Sequence, residues 1–137
     1  MVVLKGIPSV LSPELLYALA RMGHGDEIVL ADANFPSSSI SKAGPELIQA
    51  DDTYVETPAS VMDLVQGDKE RGLQITVWEE YKELLSRYGC KAPLEKVERF
   101  AFYERAKKAF AVVATGETSP YGNLILKKGV ISQADLV

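Results

Sequence analysis

The chain has one cysteine, one histidine and one tryptophan in 137 residues. Cys90 alone excludes an internal disulfide and removes the usual sign of a secreted, disulfide-supported domain, so a reducing cytoplasmic setting is expected. With so few soft ligands the dense donor set of a structural zinc site cannot be assembled, and no metal is expected, a zinc site of water and carboxylates being the weaker alternative. No apolar run approaches the length of a membrane span. The opening MVVLKGIPSVLSPELL is broken by Lys5, Gly6, Pro8, Pro13 and Glu14, too often for a signal peptide. An excess of positive charge is missing as well. Fifteen Lys and Arg against 19 Asp and Glu leave a formal charge of −4, which gives no electrostatic reason to expect nucleic acid or an anionic membrane as partner. Also absent are a glycine-rich phosphate loop, a serine-nucleophile motif and a Cys–His pair, so no such motif competes with the candidate residues.

Apolar residues at 47% and charged residues at 25% describe an ordinary globular chain, and its length suits a single domain over 1–137. LSPELLYALARMG reads as a helix: Ser12 caps it, Pro13 takes the first helical position, and Leu15, Leu16, Leu19 and Ala20 form a stripe. Gly23 or Gly25 is expected to stop it in left-handed geometry. EIVLAD then changes to strand character, and NFPSSSISKAGPE reads as loop. PELIQADDT has room for one strand or a turn, and ETPASVMDLV reads equally as strand or short helix. ITVWEEYKELLSRYG repeats Val77, Tyr81, Leu84, Leu85 and Tyr88 on one helical face and ends at Gly89. KVERF suits an edge strand, AFYERAKKA a helix, FAVVATGE a central strand, TSPYGN a turn and LILKKGV a last strand. Helices and strands interspersed in this way predict an α/β fold, a mixed sheet with flanking helices.

Three stretches hold residues fit for chemistry. In MGHGD, His24 stands between two glycines after a helix. Imidazole gives and accepts protons near neutrality, and the glycines leave the ring accessible; the same residue also serves simply as a surface or helix-capping group. Asp32 closes a strand, where sheet ligands often bind, or else caps the following loop. Asp26 is read as structural. In ERFAFYERAKKAF, Arg99 and Tyr103 lie four apart and offer a fork of donors and an amphipathic hydroxyl, a pair suited to a polyhydroxylated ligand or to an ion pair and an interface. In TGETSPYGN, Tyr121 and Asn123 flank Gly122, as ligand contacts or as plain turn chemistry.

Taken together, LSPELLYALARMGHGDEIVLADANFP, ERFAFYERAKKAFAVVATGE and YGNLILKKGV resemble the RbsD/FucU sugar mutarotases, and within them the animal L-fucose branch. The resemblance implies an enzyme that interconverts the α and β anomers of L-fucose without a cofactor. It implies an α/β fold assembled into ring-like homo-oligomers, a decamer or smaller, with pockets near subunit boundaries. By resemblance His24 is the proton-transferring histidine, Tyr103 a catalytic tyrosine and Asp52, in DTYVE, a further catalytic or sugar-contacting acid. Asp32 and Arg99 hold the sugar, Tyr121 and Asn123 belong to the pocket, and Met62 in SVMDL lines it.

One departure from the family pattern falls in LIQADDTYVE. A glycine and a leucine-rich helix are skipped between Asp51 and Asp52, about 17 residues, the length of a helix with its connector. Losing that helix is expected to expose apolar sheet surface and to displace Asp52. The implied alternatives are a shortened, catalytically impaired form acting as a sugar-binding or assembly subunit, and a ribose pyranase or mutarotase as in the sister branch.

Overall fold

The computed structural model describes residues 12–42, 46–48, 59–87 and 92–128. Its elements in chain order are α1 (Pro13–Arg21), β1 (Glu27–Ala31), α2 (Ser37–Ser41), β2 (Glu46–Ile48), β3 (Ser60–Met62), α3 (Gln66–Glu70), α4 (Thr76–Arg87), β4 (Glu95–Val97), α5 (Arg99–Lys107), β5 (Ala111–Ala114) and β6 (Leu124–Lys127). The strands form one mixed sheet in the order β2-β5-β1-β6-β3-β4. β2, β5 and β1 run parallel, β6 is antiparallel to both β1 and β3, and β4 is parallel to β3. Among the described strands, only β6 therefore opposes the common direction.

Side chains alternate between the two faces with the period of a pleated strand. Ile28, Val61, Ala111, Val113, Leu124 and Leu126 point to one side, where Leu15 and Ala18 of α1 and Val77 and Trp78 of α4 cover them. Val29, Ala31, Met62, Val112 and Ile125 point to the other, under Ile40 of α2 and Phe102 and Ala106 of α5. The result is the expected α/β fold in three layers. Phe102, Val29, Val61, Val112 and Ile125 are wholly buried, and each such side chain contributes about 1.5–3 kcal/mol relative to exposure. No helix among the described residues is long and apolar enough to cross a membrane.

Local chemistry explains where each element begins and ends. Ser12 accepts the Leu15 N–H at 3.2 Å and starts α1, as expected. The end of α1 differs from expectation: Met22 leaves the helix in extended geometry, and it is Gly25, inside the next turn, that takes the left-handed conformation at φ 88°. The last carbonyls of α1 are satisfied by Lys128, whose Nζ donates to Leu19 O at 2.9 Å and Met22 O at 2.8 Å. Along α1, Ala18 rather than Ala20 is buried. The segment read as loop after Asn34 contains α2, because the Ser37–Ser41 turn carries Ile40 into the core. Within ETPASVMDLV, Ser60–Met62 form a strand, β3, and KVERF is divided. β4 stops at Val97, and Glu98 caps α5 by accepting the N–H groups of Phe100 and Ala101 at 3.0 Å each. β4 is an edge strand as expected, whereas β6, last in sequence, lies inside the sheet. The ending expected at Gly89 and the thiol of Cys90 lie outside the described residues.

Candidate functional site

Because only β6 is reversed, five segments meet along one edge of the sheet. Asp32 follows β1, Asp63 follows β3, Glu98 follows β4 and Thr115 follows β5, while Asn123 immediately precedes β6. The backbone N–H of Asp32 donates to Asn123 Oδ1 at 2.8 Å, tying the two expected site residues together across 91 positions of sequence. The Asp32 carboxylate accepts the Asn34 N–H at 2.9 Å and draws on the N–H groups of Gly122 and Phe35. It is only 6% exposed, and burial raises its pKa above the ordinary aspartate value against the pull of those donors. Beside it lies a cavity of about 280 Å³, lined also by Phe35, Ser37 and Thr115.

Tyr121 sits in left-handed backbone conformation at φ 58°, uncommon for a residue with a side chain. Two side chains of α4 hold that turn. Trp78 Nε1 donates to Tyr121 O at 2.9 Å, and the Tyr81 hydroxyl donates to Gly122 O at 2.6 Å. Gly122 is required by space: a Cβ there would stand 2.9 Å from Glu117 Cγ and 3.0 Å from the Ser119 carbonyl oxygen. The Tyr121 hydroxyl donates to Asp68 Oδ2 at 2.5 Å and accepts the Val65 N–H at 3.3 Å. Burial raises the phenol pKa, the Asp68 carboxylate raises it further, and the Arg99 charge opposes them.

Arg99 and Tyr103 occupy successive turns of α5. Arg99 Nε donates to the Tyr103 hydroxyl at 3.3 Å, and its guanidinium lies 5.8 Å from the centre of that ring. Tyr103 also packs against Phe35 at 5.7 Å and Phe100 at 6.4 Å between ring centres. A second cavity, about 300 Å³, opens between Arg99 and the segment carrying Asp63, Val65 and Lys69. Met62 is buried at 5% exposure in the α2/α5 side of the core, against which Tyr103 and Tyr121 pack.

His24 is elsewhere. Gly25 N–H donates to Lys128 O at 2.9 Å, which places the histidine turn beside the end of β6 and the start of β1. The five residues of β1, at about 3.3 Å each, put roughly 16 Å between that edge and Asp32. His24 is exposed and, among the described residues, has no hydrogen-bond partner; the helix-capping role belongs to Lys128. Asp26 is structural as expected, its carboxylate accepting the Gly23 N–H at 2.7 Å. Asp52 lies outside the described residues. The structure thus brings together Asp32, Asn123 and Tyr121, with Arg99 and Tyr103 beside them, and leaves His24 apart. Asp68 and Trp78 were not singled out in the sequence, and Tyr81 was named there for its helical face alone. Only the two aromatic residues left a trace there, as part of an amphipathic helix.

The model of the RbsD / FucU transport protein family matches residues 5–131. The fucose mutarotase of Homo sapiens is 64% identical over 149 aligned positions, covering 96% of this chain and 97% of that one. Ninety-six per cent of this chain is about 132 residues, about 17 fewer than the 149 aligned positions, so about 17 positions of the alignment in total have no counterpart here. This equals the omission expected between Asp51 and Asp52, a junction outside the described residues. Among solved structures, the fucose mutarotase of Streptococcus pneumoniae in complex with L-fucose superposes with a TM-score of 0.78 at 42% identity, covering 94% of this chain and 100% of that one. Bacillus subtilis RbsD complexed with D-ribose superposes at 0.61 with 24% identity, over 92% and 98% of the two chains, a likeness of fold alone. From the match over residues 5–131 and the identity sustained across nearly the whole of both sequences, the chain belongs to the RbsD / FucU family.

Proposed function

We propose that this protein is an L-fucose mutarotase, a cofactor-independent isomerase that interconverts the two anomers of the sugar. The observation that carries the reading is the 64% identity to a fucose mutarotase across nearly the full length of both chains. The edge that joins Asp32 to Asn123 and lies beside Arg99 supports it. Mutarotation needs two proton transfers and no electron acceptor. One group takes the proton of the anomeric hydroxyl while another protonates the ring oxygen, so that the C1–O5 bond breaks and an aldehyde forms. Rotation about C1–C2 and reversal of both transfers close the ring on the other face. His24 and Tyr103 are the proton-transferring pair in this reading. Asp32, Arg99, Tyr121 and Asn123 hold the sugar hydroxyls, Met62 backs the pocket, and Asp52 keeps the role that family resemblance gives it.

The separation of His24 from the other groups bears on assembly. A single copy cannot bring an exposed turn at one sheet edge onto a carboxylate at the other. We place the working site between two copies, with His24 of one subunit facing the Asp32–Arg99 edge of the next. Phe100, 69% exposed beside Arg99, suits such a contact. A head-to-tail contact of this kind closes into a ring, up to the decamer implied by family resemblance. The lone Cys90 fits a cytoplasmic location.

The test is exchange between the anomeric proton signals of L-fucose, read by NMR saturation transfer. Purified protein is expected to exceed buffer, and His24→Ala to fall back by about 10²-fold or more. Background exchange from a folded, assembled sample would defeat the reading. The shortfall of about 17 positions against the human relative favours one second reading, a sugar-binding or assembly subunit without turnover. That reading predicts L-fucose binding, or mixed assembly with a complete relative, in the absence of exchange. D-ribose run in parallel distinguishes the sister activity.

A further inference from the structure

The phenol of Tyr121 has its proton already committed. Its O–H donates to Asp68 Oδ2 at 2.5 Å, and the Val65 N–H reaches the same oxygen at 3.3 Å. Asp68 is itself held in place by an ion pair with Arg71 three residues on. Around this contact the backbone is equally constrained: Trp78 and Tyr81 grip the carbonyls of Tyr121 and Gly122 and keep the left-handed turn. Val65, the next neighbour of the phenol, lines the cavity of about 300 Å³ that Arg99 also lines. A phenol whose hydrogen points at a carboxylate offers an outside ligand only its remaining lone pair and the face of its ring.

From this geometry we infer that Asp68 is a positioning residue of the sugar site: by accepting the Tyr121 O–H it leaves that hydroxyl to act as an acceptor, selecting a ligand that donates a hydroxyl beside Arg99. The inference deepens the mutarotase reading and rests on it. Asp68 does not itself need to touch sugar. Its carboxylate stays ionised, because the Tyr121 hydrogen bond and then the Arg71 pair hold its pKa below the ordinary aspartate value. The charged groups that act on the phenol are Asp68, which keeps it protonated, and Arg99, which opposes. Arg71 acts on Asp68 from behind.

The experiment uses the full chain, with D68N, Y121F and the double variant, and reads two quantities. The first is KM and kcat for L-fucose by saturation transfer. The second is the pH at which the Tyr121 ring signal titrates, in protein carrying labelled tyrosine and assigned by its loss in Y121F. D68N is expected to raise KM about tenfold, the size of a hydrogen bond to a charged group, with kcat within about twofold. The phenol should ionise at a lower pH in D68N. In the Y121F background D68N should change KM by less than about twofold, because its effect passes through the missing hydroxyl. D68E, which restores a carboxylate, is expected to return both readouts toward wild type, and it carries the test if D68N folds poorly. An unmoved phenol titration, an unchanged KM, or a D68N effect undiminished in Y121F would overturn the inference. Wild-type protein without exchange above buffer would instead defeat the mutarotase reading, and the titration would still decide whether Asp68 governs the Tyr121 proton.

Discussion

At one edge of the sheet, where β1, β3, β4 and β5 end, a buried carboxyl, a left-handed tyrosine and two cavities lie within a short span. At the opposite edge the chain is tied down by charge. Arg105 Nε donates to Glu27 at 2.7 Å and its Nη1 to Glu95 at 3.1 Å, while the Ser60 hydroxyl donates to Glu95 at 2.7 Å. Lys128 there closes the end of α1. The first edge keeps polar groups poised and partly unused; the second uses its charges to join β1, β3, β4 and α5. Yet the tied edge displays His24, the single histidine of the sequence. In the proposed site between copies, the platform that presents His24 and the edge that holds Asp32 and Arg99 are complementary halves.

The largest effect should come from separating those halves between two chains. H24A and R99A are each expected to lose exchange, H24A by about 10²-fold or more. When equal amounts are co-assembled, random pairing gives about a quarter of the sites an intact His24 from one chain and an intact Arg99 from its neighbour, so about a quarter of wild-type exchange should return. Mixed oligomers that stay silent would show that the two edges do not meet between copies.

A smaller effect is expected from the tied edge alone. Arg105→Met removes a mostly buried guanidinium from two carboxylates and leaves Glu27 without its partner, at a cost of about 1–2 kcal/mol. The urea midpoint should fall by the corresponding amount, while KM for L-fucose holds at temperatures where both proteins are folded. A shift of KM with stability would mean that the two edges are coupled through α5, which spans from Arg99 to Lys107.

How much of this contrast the sequence displays depends on the distance over which each feature is specified. The strands announce themselves because Ile28 to Ala31 and Ala111 to Ala114 are locally apolar and β-branched, and α1 because Ser12 and Pro13 mark its start. α3 escapes notice because QGDKE buries no residue and has no apolar face to detect. Asp68 therefore looks like solvated charge, although its partner Tyr121 waits 53 positions later. His24 misleads in the other sense. Eight positions from Asp32, it suggests a shared pocket, but the intervening residues form a strand, and a strand carries its two ends apart. Only the sheet order, with β6 reversed, reveals that Asn123 rather than His24 is the neighbour of Asp32.

The smallest expected effect separates the edges by the sign of a pH dependence. Asp32 has its folded pKa raised by burial, so between its unfolded and folded values the native chain holds more proton than the unfolded one, and stability falls as pH rises. Glu95 has its pKa lowered by the Ser60 hydroxyl and then by Arg105, so its contribution is present above the unfolded value and lost as pH falls. Urea midpoints taken in steps from about pH 3 to about pH 6 bracket both unfolded values. The stability of wild type minus that of D32N should decrease across that range, and wild type minus E95Q should increase. Parallel slopes would break the comparison, because the N–H groups of Asn34, Phe35 and Gly122 would then outweigh burial at Asp32. The edge beside the cavities would in that case hold its carboxylate as firmly ionised as the edge built for support.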